Sequence, residues 1–284
     1  MTDLDLPANR ESSPRQPVLF MGHGSPMNVI DDNAFRPVWE EMGQMWGDKG
    51  RWPKPRVILC ISAHWCTKGT VLNALAHPPT IHDFGNAYQE LFSLRYSAPG
   101  EPELARSWAE RFHQASNDQP LILGGSDWGY DHGTWGVLKP LFPMADIPVV
   151  QMSLDVNASL EQHASLGEQL KVLRDEGVLI VASGNTVHNL RASVRQAPDE
   201  VAAPWAREFD QFVASSVMSK DLGALSLGQA DAHLIDIFRA SHPSIEHYLP
   251  LLYAANASLA TDQVDFYCDQ YQWATVAMRS VLWS

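Results

Sequence analysis

Three short apolar runs in this chain end in small residues and then reach a histidine, and that pattern constrains the fold more than any other feature. Phe20-Met21-Gly22 leads into His23. Ile61-Ser62-Ala63 leads into His64. Ala182-Ser183-Gly184-Asn185 leads into Thr186-Val187-His188. These runs belong to a longer series: PVLFMG at 17–22, RVILCISAH at 56–64, TVLNAL at 70–75, PLILGG at 120–125, IPVVQMSL at 147–154 and VLIVASGN at 178–185. Each has the length and content of a buried strand. Helical patterns lie at 34–46, 101–115, 158–175, 203–217 and roughly 246–259. Alternating strands and helices predict an α/β sheet covered on both faces. The ending FYCDQYQWATVAMRSVLWS reads as further strand, with antiparallel pairing open to it. Sheets of this kind bind ligands beyond the carboxyl ends of their strands, which is where the three histidines fall.

The 284 residues suit one large α/β domain or two small ones, and 45% hydrophobic residues can bury a sizeable core. Acidic residues outnumber basic ones 33 to 20, a formal charge of −13. That balance argues against a nucleic-acid or anionic-membrane partner, since phosphate binding needs dense Lys and Arg. Cys60, Cys66 and Cys268 cannot all pair within the chain and show no CxxC spacing, so a reducing compartment, the cytoplasm, is expected. Residues 1–15 are polar and read as a flexible tail without the apolar region of a signal peptide. No apolar run reaches about 18 residues, so no membrane span is expected. The chain has no HExxH, GxSxG or P-loop motif, which leaves little support for a serine hydrolase, a kinase or an NAD enzyme.

Each histidine has a chemical reading and a plain one. Neutral imidazole is the commonest side-chain metal ligand, and Gly22 and Gly24 let the backbone turn sharply around His23. The plain reading of His23 is a capped turn; that of His64 is a ring stacked on Trp65. His188 follows small residues, and its plain reading is a helix start capped by Asn185 or Thr186. His247 is expected in the first turn of a helix that Ser244 caps, beside Glu246. His132, in YDHGTWG, reads as a loop histidine suited to proton transfer, its pKa raised by Asp131 or Asp127, or else as a simple turn. His77 and His82 read as surface loop, His113, His163 and His233 as helix surface, and His242 as a turn residue. Cys66 reads as a packed thiol.

Six blocks, in order across about residues 17–260, carry a family resemblance: LFMGHGSPMNVI, ISAHW, PPTIHDFGNAYQELFSLRYSAPG, DWGYDHGTWGVLKPLFPMADIPVVQMSLD, VASGNTVHNLR and HPSIEHYLPLLYA. Together they resemble the 4,5-DOPA extradiol dioxygenase family, of the LigB-type (class III) extradiol ring-cleavage dioxygenases. The resemblance implies a LigB-like α/β fold: a single domain, residues 16–284, with a mixed central β-sheet and helices on both faces. It implies one divalent metal at His23, His64, His188 and His247, an acid/base histidine at His132, and O2-dependent opening of a small catechol outside its two hydroxyls. It associates the site with zinc as isolated and with Fe2+ for dioxygenase activity.

Coordination chemistry bears on that ligand set. Zn2+ is redox-inert and is satisfied by four ligands. Octahedral iron offers about six positions; catechol takes two and O2 one, so three protein ligands remain. On this reading His23 and His64 are permanent ligands, Glu246 or His247 is the third, and His188 withdraws to serve as a base for the second hydroxyl. His132 then donates a proton as the ring opens. Trp65, Phe84, Tyr88, Trp128 and Trp135 are candidates for an aromatic pocket, and Arg191 for a carboxylate clamp. Two other functions remain open at this stage: a zinc-dependent hydrolase, and a non-catalytic binding protein on the same scaffold.

Overall fold

Alternate residues of β1 (Val18–Gly22) and β2 (Val57–Thr67) enter two different cores. Val18, Phe20, Val57, Leu59 and Ile61 pack on one side; Leu19, Met21, Ile58 and Cys60 pack on the other. Side chains alternate across a strand, so a run that is apolar at every position must be covered on both faces. The computed structural model describes residues 15–114, 119–124 and 127–284. Residues 1–14 of the expected tail lie outside them; Arg15 pairs with Asp175 at 2.5 Å.

The remaining strands are β3 (Val71–Asn73), β4 (His113–Gln114), β5 (Gln119–Pro120), β6 (Ile122–Gly124), β7 (Val149–Asp155), β8 (Val178–Gly184), β9 (Val264–Tyr267), β10 (Tyr271–Gln272), β11 (Val276–Ala277) and β12 (Ser280–Trp283). Eight of them form one sheet in the order β6-β3-β7-β2-β8-β1-β12-β9. The centre, β7-β2-β8-β1, is parallel. The C-terminal segment closes one side with two antiparallel pairings, β12 on β1 and β9 on β12. On the other side β3 runs antiparallel to β7 and parallel to β6. The sheet is therefore mixed, as expected.

The described helices are α1 (Phe35–Gly43), α2 (Pro102–Arg111), α3 (His132–Leu141), α4 (Leu160–Leu170), α5 (Pro204–Ser219), α6 (Ala232–Ser241) and α7 (Leu249–Asn256). Helices α1 and α3 cover one face through Trp39, Met42, Trp135 and Leu138. Helices α2, α4, α5 and α7 cover the other through Trp108, Leu166, Phe209 and Leu252. Among the described residues no helix is long and apolar enough to cross a membrane.

Two helices, α3 and α6, lie outside the expected patterns. Helix α3 is buried nearly all round and carries Gly133, Gly136 and Pro140, so it shows neither an amphipathic period nor helix-favouring composition. Packing overrides propensity there, with Asp131 capping the helix by accepting from the Thr134 N–H at 2.9 Å. The expected helix 101–115 stops at Arg111, and His113 lies in β4. The expected helix 246–259 begins only at Leu249.

Candidate metal centre

His23, His64, His132, His188 and His247 all line one cavity of about 430 Å³, beyond the carboxyl ends of β1 and β8 and against the last residues of β2. His23 follows β1 directly. A Cβ on Gly22 would sit 2.6 Å from the Met278 carbonyl carbon, and Gly24 has φ +57, so both glycines are required by the turn that presents the ring. His64 does not follow a strand end, because β2 continues to Thr67. Its pairing with β7 slips between Ile61 and Cys66. Such an irregularity redirects side chains, and His64 sits in it.

His188 lies in the loop after β8, its N–H donating to Ser241 O at 3.0 Å. Neither Asn185 nor Thr186 caps a helix. Asn185 Nδ2 donates to Ala277 O at 2.9 Å, and Thr186 Oγ1 donates to Asp210 Oδ1 at 2.6 Å. Buried Asp210 also accepts from Tyr271 OH and from both arms of Arg279, at 2.9 Å, 2.9 Å and 2.7 Å, which ties this loop to β10. His247 lies two residues before α7 rather than inside it, and Ser244 donates its hydroxyl to Glu246 instead of capping. His132 is the first residue of α3 and is buried, not a loop residue.

The hydrogen-bond partners fix where the ring protons lie. His64 Nδ1 is 3.2 Å from Asp83 Oδ2, His132 Nδ1 is 2.9 Å from Asp83 Oδ1, and His247 Nδ1 is 3.2 Å from Glu246 Oε1. An ionised carboxylate only accepts, so in each ring Nδ1 carries a proton, which leaves Nε2 as the nitrogen that can serve a metal. His23 Nδ1 shares a 3.0 Å hydrogen bond with Ser183 Oγ. The Nε2 atoms of His23 and His64 face each other at 3.1 Å, and His247 Nε2 is buried without a partner. His23, His64 and His132 each bring a ring nitrogen within 4.8 Å of the others. His188 stacks on His247, ring centroids 3.5 Å apart and planes within 4°. Parallel rings hold their in-plane lone pairs in separate planes, so one ion draws on one of the two.

Burial lowers the pKa of His23 and His247 well below the imidazole range, and the neighbouring histidines add to the effect. Burial also lowers His188, to about 3. For His132 burial and then His64 outweigh the opposing hydrogen bond to Asp83, so its pKa falls rather than rises. The expected partners do not act on it by contact: Asp131 accepts from Ser62 Oγ, Trp128 Nε1, Thr134 N and Gln151 Nε2, and Asp127 is exposed. Neutral imidazoles with unshared nitrogen pairs crowded in one pocket form a donor set suited to a divalent cation.

The rest of the wall departs from the sequence reading in several places. Phe84 and Tyr88 line the cavity, whereas Trp65 and Trp128 stack on each other 6.4 Å apart and Trp135 is buried, donating to Ile81 O at 2.9 Å. Arg191 is exposed and off the wall; Arg195 and Trp273 are on it. Cys66 is exposed on the wall instead of packed, and burial of its neighbourhood raises its pKa to about 11. His82 packs among Phe84, Phe92 and Trp135. His163 is buried against Tyr253 OH at 2.8 Å, and buried His242 donates from Nε2 to Thr186 O at 2.8 Å. Asp83, Ser183 and Arg195 escaped the sequence reading; the only trace of Asp83 is its place beside His82 in a resemblance block. A second cavity, of about 470 Å³, lies elsewhere, by Glu161, Phe212 and Leu234, and has no histidine on its wall.

The family model described as the catalytic LigB subunit of aromatic ring-opening dioxygenase matches residues 17–236. A 4,5-DOPA dioxygenase extradiol of Escherichia coli (strain K12) is 40% identical over 276 residues, 95% of each chain. A protein of the same name from Beta vulgaris is 34% identical over 239 residues, 84% of this chain and 85% of that one. The crystal structure of an uncharacterized Escherichia coli K12 protein superposes with a TM-score of 0.76 at 35% identity, covering 94% of this chain and 99% of that one.

Proposed function

The chain belongs to the LigB family of aromatic ring-opening dioxygenases, and from that premise we propose that it opens the ring of a small, DOPA-like catechol with O2, outside the two hydroxyls. The family's dioxygenases are metal-dependent oxidoreductases, and the clustered histidines could bind one ion. One observation carries the reading: Asp83 and Glu246 accept at the Nδ1 atoms of His64, His132 and His247, which leaves Nε2 of each ring as the free lone-pair donor, while His64 Nε2 lies 3.1 Å from His23 Nε2 and ring nitrogens of His23, His64 and His132 lie within 4.8 Å of one another. Residues 16–284 form the proposed catalytic domain. Three unpaired cysteines support the cytoplasm as its compartment.

The proposed ligands are His23, His64 and His247; the parallel stack of His188 on His247 sets the His188 lone pair in a different plane, which favours His188 as a base over a fourth ligand to the same ion. Glu246 is engaged by Ser244 and His247, which favours it as the orienting acid rather than the third ligand. A metal held by these residues would supply the electron path between catechol and O2, chemistry that Fe2+ offers and redox-inert Zn2+ does not. Burial keeps His188 neutral at physiological pH, so its ring is open to accept a hydrogen bond from a catechol hydroxyl, and the negative charge of a bound catecholate is what would raise its affinity for the proton. His132 takes up a proton at Nε2, Asp83 stabilises the resulting imidazolium, and the proton returns to substrate as the ring opens. Phe84 and Tyr88 offer apolar faces to a planar ring and exclude water from it.

The test is anaerobic loading with Fe(II), followed by O2 and a panel of catechols read by visible absorbance. A yellow semialdehyde is expected from DOPA-like substrates. A colourless outcome across the panel, with iron bound, would overturn the proposal.

A further inference from the structure

The histidine-lined cavity has one strongly basic corner. Among the described residues Arg195 is the only lysine or arginine on its wall, and its guanidinium carbon lies 3.8 Å from the centroid of the Trp273 ring. A guanidinium seated over an indole ring is held there by cation–π attraction, which leaves edge N–H groups available. That edge suits a planar, bidentate anion such as a carboxylate.

The turn beneath this pair adopts an unfavourable backbone. Trp273 has φ 56 and Ala274 φ 65, in the short connection between β10 and β11. Consecutive left-handed residues in a tight turn are the province of Asn and Gly, and a bulky aromatic there is an outlier. Strain of this kind collects at ligand sites, where surrounding structure enforces it. Here the enforcing bonds are visible. Val194 N–H donates to Trp273 O at 3.0 Å, Asn189 N–H donates to Thr275 O at 3.1 Å, and Ala203 N–H donates to Ala274 O at 2.9 Å. The segment that carries Arg195 is thus bonded to the turn that carries Trp273.

Charge completes the argument. The chain as a whole carries −13, which repels anionic small molecules. Glu246, the acid on the same wall, already accepts from Ser244 Oγ at 2.8 Å and from His247 Nδ1 at 3.2 Å. The charge left to greet a ligand's side chain is Arg195.

We propose that Arg195, held over the Trp273 ring, binds the side-chain carboxylate of the catechol, so that the site selects catechols with an anionic side chain over neutral or cationic ones. The proposal rests on the ring-opening reading above. It makes Arg195 a specificity-determining residue and Trp273 its positioning residue.

The experiment uses the full-length, iron-loaded protein with three probes: 3,4-dihydroxyphenylpropionate, 4-methylcatechol and dopamine. Replacing Arg195 by Ala is expected to lower the ratio of kcat/KM for the anionic probe to that for the neutral one by about 10- to 100-fold, through KM. Arg195→Lys retains part of the ratio, Arg195→Glu turns the preference toward dopamine, and Trp273→Leu lowers the ratio by a smaller factor. A change in that ratio of less than about threefold in Arg195→Ala overturns the proposal. A binding measurement separates this failure from failure of the ring-opening reading. The zinc-loaded protein is titrated with 3,4-dihydroxyphenylpropionate by calorimetry. If no probe is opened but Arg195→Ala still weakens binding at least about tenfold, carboxylate recognition stands and the ring-opening reading falls. Equal affinity in wild type and Arg195→Ala overturns the recognition itself.

Discussion

Asp83 holds two imidazoles at once: its Oδ1 accepts from His132 Nδ1 at 2.9 Å, and its Oδ2 lies 3.2 Å from His64 Nδ1. Oδ1 also accepts the His132 backbone N–H at 2.9 Å. Burial alone would raise the Asp83 pKa, but the hydrogen bonds from His132 and His64 reverse that and hold it far below the usual carboxylate range. One acid therefore sets the tautomer of a proposed ligand and of the proposed proton carrier.

Asp83→Asn replaces one accepting oxygen by an NH2 group that cannot accept from a ring N–H. At least one of the two rings must then turn or change tautomer. Metal affinity is expected to fall about 10- to 100-fold, read by competition with a chelator, and kcat to fall with it in protein saturated with Fe(II).

His188→Gln separates ligands from the proposed base. The stack of His188 on His247 lets an ion draw on one ring of the two. Iron content after loading is expected to stay near wild type in His188→Gln, while ring opening drops by about 100-fold or more. His23→Ala is expected to lose iron. Equal iron loss in both variants, measured by mass spectrometry of the metal, would place His188 among the permanent ligands.

Acid sensitivity follows from two buried histidines away from the proposed ligands. Burial lowers His163 to about 4 and His242 to about 4. In the unfolded chain both return to about 6.5. The unfolded state thus binds protons first as pH falls. Stability is intact above about pH 6.5 and declines toward pH 4, with each histidine costing about 2 kcal/mol by pH 5. Urea titrations at pH 7 and pH 5 should show this loss, and His163→Gln should lose less between the two pH values than wild type.

Ala274→Gly should stabilise the fold. The left-handed conformation at φ 65 costs a Cβ-bearing residue about 1 kcal/mol and costs glycine almost none. Ala274 is 5% exposed and its side chain is a single methyl, so little packing is lost in exchange. A net gain of about 0.5–1 kcal/mol in denaturant unfolding is expected.

Asp210→Ala should be costly. The change strands Arg279, which makes both of its 2.9 Å and 2.7 Å contacts to this carboxylate, and releases Thr186 and Tyr271 together. A loss of about 3 kcal/mol is expected, as for breaking one side of a buried ion pair. Thermal unfolding of the metal-free protein measures it without interference from the site.

The strand framework was legible because it is written in neighbouring residues. Unbroken apolar runs mark strands covered on both faces, and at His23 and His188 small residues followed by histidine mark where the backbone leaves the sheet, whereas His64 lies inside β2. The candidate ligands His23, His64, His188 and His247 came from the ordered blocks of the family resemblance, and all four line the one cavity. Helix α3 was not legible, since a helix buried nearly all round has no polar face to betray its period, and His132 was therefore read as a loop residue. Nor was the partner of His132: the neighbours Asp131 and Asp127 were the natural candidates by proximity in sequence, yet the bond goes to Asp83, 49 residues away.

The sequence by itself determined the α/β class, the run of strands and the set of histidines placed near their ends, because backbone propensity and burial are properties of short segments. Tertiary structure alone decided which nitrogens face the cavity, that Asp83 and Glu246 orient them, that His188 lies flat on His247, and that Arg195 rather than Arg191 reaches the wall. Those outcomes depend on the strand order and on a slip in the β2–β7 pairing, which bring distant segments within hydrogen-bond reach, and no local pattern in the chain encodes such a meeting.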